Sequence, residues 1–113
     1  MVYYERADVA GPKKSDYFIA ETSDPEVLKA VLSKALGVRG VVRKKRRLYL
    51  VGQTRIHIDE VEGLGAFLEL EVVLRRGESV EYGQKIAEDL MAKLGIKPGD
   101  LIDGAYIDLL ERP

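Results

Sequence analysis

Val41-Val42-Arg43-Lys44-Lys45-Arg46-Arg47-Leu48-Tyr49-Leu50-Val51, Thr54-Arg55-Ile56-His57-Ile58-Asp59-Glu60-Val61 and Ala66-Phe67-Leu68-Glu69-Leu70-Glu71-Val72 follow one another with only short breaks between them. In a β-strand, residues i and i+2 share a face. Lys44 and Arg46 therefore share one face, as do Arg55, His57 and Asp59, and then Glu69 and Glu71. The alternate positions of the last two runs are apolar: Ile56 and Ile58, then Leu68, Leu70, Val72 and Leu74. Gly52-Gln53 and Glu62-Gly63-Leu64-Gly65 supply the turns, so two hairpins join three antiparallel strands. An antiparallel sheet with a wet second face accounts for this pattern. So does a site for a polyanion and its metal ion.

Working outward, Tyr3 to Asp8 and Ser15 to Glu21 read as two short strands around the turn Ala10-Gly11-Pro12. Asp24-Pro25 opens a helix with a capping carboxylate and a proline at its first position. Val27, Leu28, Val31, Leu32, Ala35 and Leu36 form its apolar stripe and Gly37 ends it. After Arg76-Gly77 the period changes: Val80, Gly83, Ile86, Ala87, Leu90, Met91 and Leu94 fit a second helix ending at Gly95. Lys97 to Asp100 is a turn, and Leu101 to Leu110 is an apolar tail expected to pack back on the sheet. The order β-β-α-β-β-β-α predicts an α+β domain whose helices cover the apolar outer face of an antiparallel sheet.

Composition bounds the chemistry. The 113 residues make one domain with one core. A third of the residues are charged, yet the net charge is only −1, which argues against a protein built for nucleic acid and makes any basic site local. There is no cysteine, hence no thiolate metal site and no thiol nucleophile. His57 is the single histidine, which disfavours zinc. Apolar runs fall short of a membrane span, and the start lacks the features of a signal peptide, so a cytoplasmic location is expected. The cluster Arg43 to Arg47 has three readings: a nucleic-acid patch, an aggregation-resistant edge, or a strand sending Lys44 and Arg46 into a polar cavity. Glu69 and Glu71, two same-face carboxylates, suit Mg²⁺ or Mn²⁺ completed by substrate phosphates.

Lys13-Lys14-Ser15-Asp16-Tyr17, Val42-Arg43-Lys44-Lys45-Arg46 and the long run from Thr54 to Glu71, in that order, resemble the CYTH family, the triphosphate tunnel proteins. The likeness covers Tyr3 to Leu110 and is nearest the class IV adenylyl cyclase-like branch. It implies an antiparallel β-barrel with a basic lumen that binds triphosphates. Carried over by motif position, Arg6, Lys13, Lys44, Arg46 and Arg55 would bind phosphate, and Glu69, Glu71 and Asp59 would serve a divalent metal, Mg²⁺ or Mn²⁺. No residue receives a catalytic role. The implied activity is metal-assisted attack on a phosphate, by water in a triphosphatase or by a ribose hydroxyl in a cyclase.

One departure stands out: the family's Glu-x-Glu-x-Lys strand has no counterpart here. Residues 1–113 are thus expected to form a single truncated CYTH-like domain. About five strands are too few to close a lumen, since about eight give the smallest well-formed interior. Completion by a homodimer is the expected solution. The alternative is a non-catalytic polyanion-binding or interaction module.

Overall fold

The computed structural model describes residues 1–112 apart from Asp8 and Asp103. Five strands and three α-helices form an α+β chain: β1 (Val2–Arg6), β2 (Ser15–Ile19), α1 (Pro25–Leu36), β3 (Lys44–Val51), β4 (Thr54–Val61), β5 (Gly65–Val72), α2 (Val80–Leu94) and α3 (Tyr106–Glu111), with a 3₁₀ turn at Pro98–Asp100. Asp8, the last residue of the first strand expected from sequence, lies outside the described residues.

Local signals set the boundaries. The Asp24 carboxylate accepts a hydrogen bond from the Val27 amide at 3.1 Å, and Pro25 opens α1. The Ser79 hydroxyl accepts from the Tyr82 amide at 3.1 Å at the start of α2, which stops at Gly95 in the left-handed conformation, φ 74°. At Gly52, φ is 57°, a value that the tight β3–β4 turn requires and that glycine adopts without steric cost.

The strands form two antiparallel sheets rather than one: β1 with β2, and β3-β4-β5. Among the described residues these two sheets do not close into a barrel. The helices also depart from expectation. Helix α2 lies closely on the larger sheet, against β5, with Gly83 so near Leu74 that a Cβ there would stand 2.7 Å from its Cδ2, and α3 reaches the sheet through Tyr106, which contacts Asp59 and Phe67. Helix α1 buries no residue, and Leu36 of its apolar stripe is 81 % exposed. The buried apolar core is correspondingly thin: Ile56, Val61 and Ala87 among the described residues.

The accessible surface, 8870 Å², exceeds the roughly 6,200 Å² expected of a folded monomer of this mass. The radius of gyration, 15.8 Å, likewise exceeds the about 13 Å of a compact chain of this length. The strands and helices are well formed, but many of their apolar faces have nothing against them.

Candidate phosphate-binding face

Strand β4 runs between both neighbours, and its register aligns the three charged sets. Arg46 faces Asp59, which faces Phe67; Leu48, His57 and Glu69 form the next row; Leu50, Arg55 and Glu71 the one after. Rows in register lie on one face, so Lys44, Arg46, Arg55, His57, Asp59, Glu69 and Glu71 share a single side of the sheet. The opposite side carries Tyr49, Ile56 and Leu70 in one row and Arg47, Ile58 and Leu68 in the next.

Burial on the charged side is local. Asp59 has no exposed surface and His57 is 4 % exposed, as deep as Ile56 on the apolar side, while Glu71 at the edge is exposed. A merely wetted face would leave its carboxylate and imidazole in water. Here Arg46, Lys44 and Tyr106 surround Asp59.

Asp59 is the hub. Arg46 donates from Nε to Oδ1 at 2.7 Å and from Nη2 to Oδ2 at 2.8 Å, a bidentate pair. The Tyr106 hydroxyl donates to Oδ2 at 2.8 Å from α3, and Lys44 Nζ stands 3.7 Å from the same oxygen. The Arg46 hydrogen bonds, aided by that of Tyr106, outweigh burial and hold the Asp59 carboxyl down to about 2. The same contact raises the Arg46 pKa; burial first, then the bond to Asp59, pushes the Tyr106 phenol up. The Tyr106 ring packs on Phe67 at 5.2 Å between centroids and lies under the Lys44 ammonium at 5.1 Å.

Contacts loosen away from that hub. Arg46 Nη2 is 3.5 Å from Glu69 Oε2, Arg55 Nε is 3.6 Å from Glu71 Oε1, and His57 Nε2 is 3.7 Å from Glu71 Oε2. The two arginine contacts are loose ion pairs, and all three separations lie beyond good hydrogen-bond length. Both His57 ring nitrogens are buried without a hydrogen-bond partner. Burial, reinforced by Arg46, lowers the imidazole pKa, so the ring is neutral near pH 7.

The structure thus brings together Lys44, Arg46, Arg55, Asp59, Glu69 and Glu71 of the residues expected from sequence. Arg6 and Lys13 lie elsewhere, at the end of β1 and in the β1–β2 loop. Arg6 donates to the Gly104 carbonyl at 3.5 Å and lies over the Tyr4 ring, and the Lys13 ammonium donates to the Val9 carbonyl. Glu69 and Glu71 fit a hard divalent ion: both are partly exposed, and their contacts with Arg46, Arg55 and His57 are loose, at 3.5 to 3.7 Å. Both Asp59 oxygens, by contrast, already accept from Arg46 and Tyr106. No group of three or more potential ligands converges as a metal cage among the described residues, so any ion would need phosphate or water oxygens to complete its shell.

Sequence reasoning missed Tyr106. It falls in the apolar tail, 47 residues from Asp59, and a lone tyrosine among Ile107, Leu109 and Leu110 carries no polar signal. A buried tyrosine hydroxyl needs a partner, which is the one hint the sequence offered.

Known proteins resemble this chain along most of its length. The CYTH domain family model matches residues 2–106. Adenylate cyclase CyaB of Aeromonas hydrophila is 30% identical over 108 residues, which cover 92% of this chain and 55% of that protein. A relative from Methanocaldococcus jannaschii is 33% identical over 91 residues, covering 76% of this chain and 50% of that protein. The chain therefore spans about half the length of the curated relatives it matches. Among solved structures, the PH1012 protein of Pyrococcus horikoshii superposes with a TM-score of 0.81 at 27% identity, over 97% of this chain and 66% of that one. No helix among the described residues is long and apolar enough to cross a membrane. With its family model matched over residues 2–106, the chain belongs to the CYTH family, which includes triphosphate tunnel proteins and adenylate cyclases.

Proposed function

We propose that the charged face of β3-β4-β5 binds a triphosphate, inorganic or carried by a nucleoside, together with Mg²⁺ or Mn²⁺. The observation that carries this reading is the enclosure of Asp59 among cations on a charged sheet face. A buried carboxylate is costly to maintain, and a polyanion site explains why the sheet sustains one beside partly exposed cations. Lys44 and Arg55 are the phosphate-binding cations, each about one-third to one-half exposed and loosely paired. Arg46 is partly committed to Asp59 but has more N–H donors than that pair uses. Arg6, at the end of β1, and Lys13, in the β1–β2 loop, are assigned to the same lumen by the family pattern alone. Glu69 and Glu71 are the metal carboxylates, and Asp59 is a luminal carboxylate that orients Arg46.

A divalent ion held by Glu69 and Glu71 would offset the negative charge of the phosphates. The chain's own part is to grip the phosphates with Arg55, Lys44 and Arg46 and to exclude water around Asp59. Calorimetry with inorganic triphosphate and Mg²⁺ tests the reading. Arg55→Ala should weaken affinity about tenfold, the low end for a lost charge-assisted contact. Unchanged affinity in Arg55→Ala and Lys44→Ala together would overturn it. Arg46→Ala is a poorer probe, since it also strands a buried carboxylate.

A second reading, a polyanion-binding module without turnover, is favoured by the commitment of both Asp59 oxygens to Arg46 and Tyr106, with no group of three potential metal ligands among the described residues. Release of phosphate or pyrophosphate from triphosphate or ATP with Mg²⁺ separates the two. We also assign the exposed apolar faces to a homodimer, in which a second sheet helps enclose the lumen.

A further inference from the structure

We propose that Tyr106 is a positioning residue for the phosphate-binding face: its hydroxyl fixes Asp59, its ring carries Lys44, and α3 thereby sets both cations for a polyphosphate. The inference rests on the triphosphate reading and deepens it.

Three independent contacts converge on this one side chain. The hydroxyl donates to Asp59 Oδ2 at 2.8 Å, the ring packs on Phe67, and the Lys44 ammonium stands 5.1 Å above the ring. A lysine on a strand ordinarily swings through many rotamers, each of similar energy. An aromatic face beneath the ammonium narrows that range. Lys44 is thus held on the lumen side, 3.7 Å from Asp59 Oδ2, rather than extended into solvent. Tyr106 also completes the shell of Asp59, whose bidentate grip fixes the plane of the Arg46 guanidinium.

Helix α3 is itself anchored from outside the sheet. Arg39 donates to Asp108 at 2.6 Å and to Glu111 at 2.6 and 3.1 Å. The Ile107 side chain sits against Gly40, where any Cβ would collide, and Leu110 lies over Gly63. These contacts deliver the Tyr106 ring to one end of the charged face. A helix needed only to cover apolar surface would present an aliphatic residue there, because a buried hydroxyl gains little over a methyl group unless its partner matters.

Inorganic triphosphate binding to the full chain, followed by calorimetry, tests the proposal through a double-mutant cycle. Tyr106→Phe keeps the ring under Lys44 and loses the bond to Asp59; Kd should rise about threefold. Tyr106→Ala loses both, and Kd should rise about tenfold. The Lys44→Ala penalty should shrink in the Tyr106→Ala background, because an unpositioned lysine has less to lose. A merely structural tyrosine would lower thermal stability and leave the Lys44→Ala penalty unchanged. Parent-like binding by Tyr106→Phe and Tyr106→Ala, or an undiminished Lys44→Ala penalty, overturns the inference while the triphosphate reading stands. If Tyr106→Ala does not fold, Tyr106→Phe with and without Lys44→Ala decides whether the Asp59 bond positions the site. Failure of the parent chain to bind triphosphate overturns both.

Discussion

Asp59 has no exposed surface, yet remains charged, because Arg46 and Tyr106 supply it with three hydrogen bonds. Its folded pKa is depressed to about 2 from the ordinary 3.8. A depressed carboxylate contributes stability that is present above its unfolded pKa and lost as pH falls through the folded one. Acid titration followed by circular dichroism should therefore show stability declining between about pH 4 and pH 2, and Asp59→Asn should lack that component. At pH 7 the same substitution should cost on the order of 2 kcal/mol, below the range for a fully buried ion pair because Arg46 can turn to water. Glu69 and Glu71 are the opposite case. Their loose contacts make them small contributors to the fold, so Glu69→Ala with Glu71→Ala should leave the melting temperature within a few degrees of the parent. Triphosphate affinity in that variant should lose its dependence on Mg²⁺; an intact Mg²⁺ response would reduce these glutamates to a solvated face.

At the scale of elements, the alternation from Lys44 to Val72 was enough to place three strands, two turns and the parity of every charged side chain, because i, i+2 geometry is local. Thr54–Val61 forms as its pattern indicates, the cap at Asp24 falls where its carboxylate dictates, and α2 stops at Gly95, where the lack of a Cβ permits the left-handed conformation. Which face is buried was not legible. The alternation of Arg55, His57 and Asp59 fits a wetted face and a closed one equally, and the difference comes from a long-range contact, Tyr106 with Asp59. Nor was the α1 stripe a guide to packing, since amphipathicity states what a helix is able to bury and not whether anything is there. The separation into two sheets was equally hidden, because strand order beyond a hairpin depends on distant chain. Helix α3 offers a prediction at this scale. It has six residues, too few for independent stability, and Arg39 ties it down from the surface. Arg39→Ala should speed amide hydrogen exchange across residues 106–111 while barely moving the global melting temperature, as exposed pairs contribute little to it.

For the whole molecule the governing quantity is uncovered surface. The excess over a compact monomer is roughly 2,700 Å² per chain, so pairing two copies would have about 5,000 Å² to bury, the scale of obligate dimers. That surface is apolar where a partner would need it to be. Phe18 and Ile19 on β2 are 74 % and 67 % exposed, Val27, Val31 and Leu36 line one stripe of α1, and both β3 and β5 have an unpaired edge in their sheet. Contiguous exposed apolar faces of this kind mark interaction surfaces, and open strand edges are normally paired or covered. A second copy fits the demand because a twofold arrangement presents the same faces to each other. Two such sheets would also come nearer the about eight strands that enclose a small interior. Light scattering after size exclusion should give the dimer mass at micromolar concentration, and Phe18→Glu with Val31→Glu should shift the chain to monomer without lowering its helix content. A single species at the monomer mass across that range, indifferent to both substitutions, would overturn the dimer and leave the charged face open on one side.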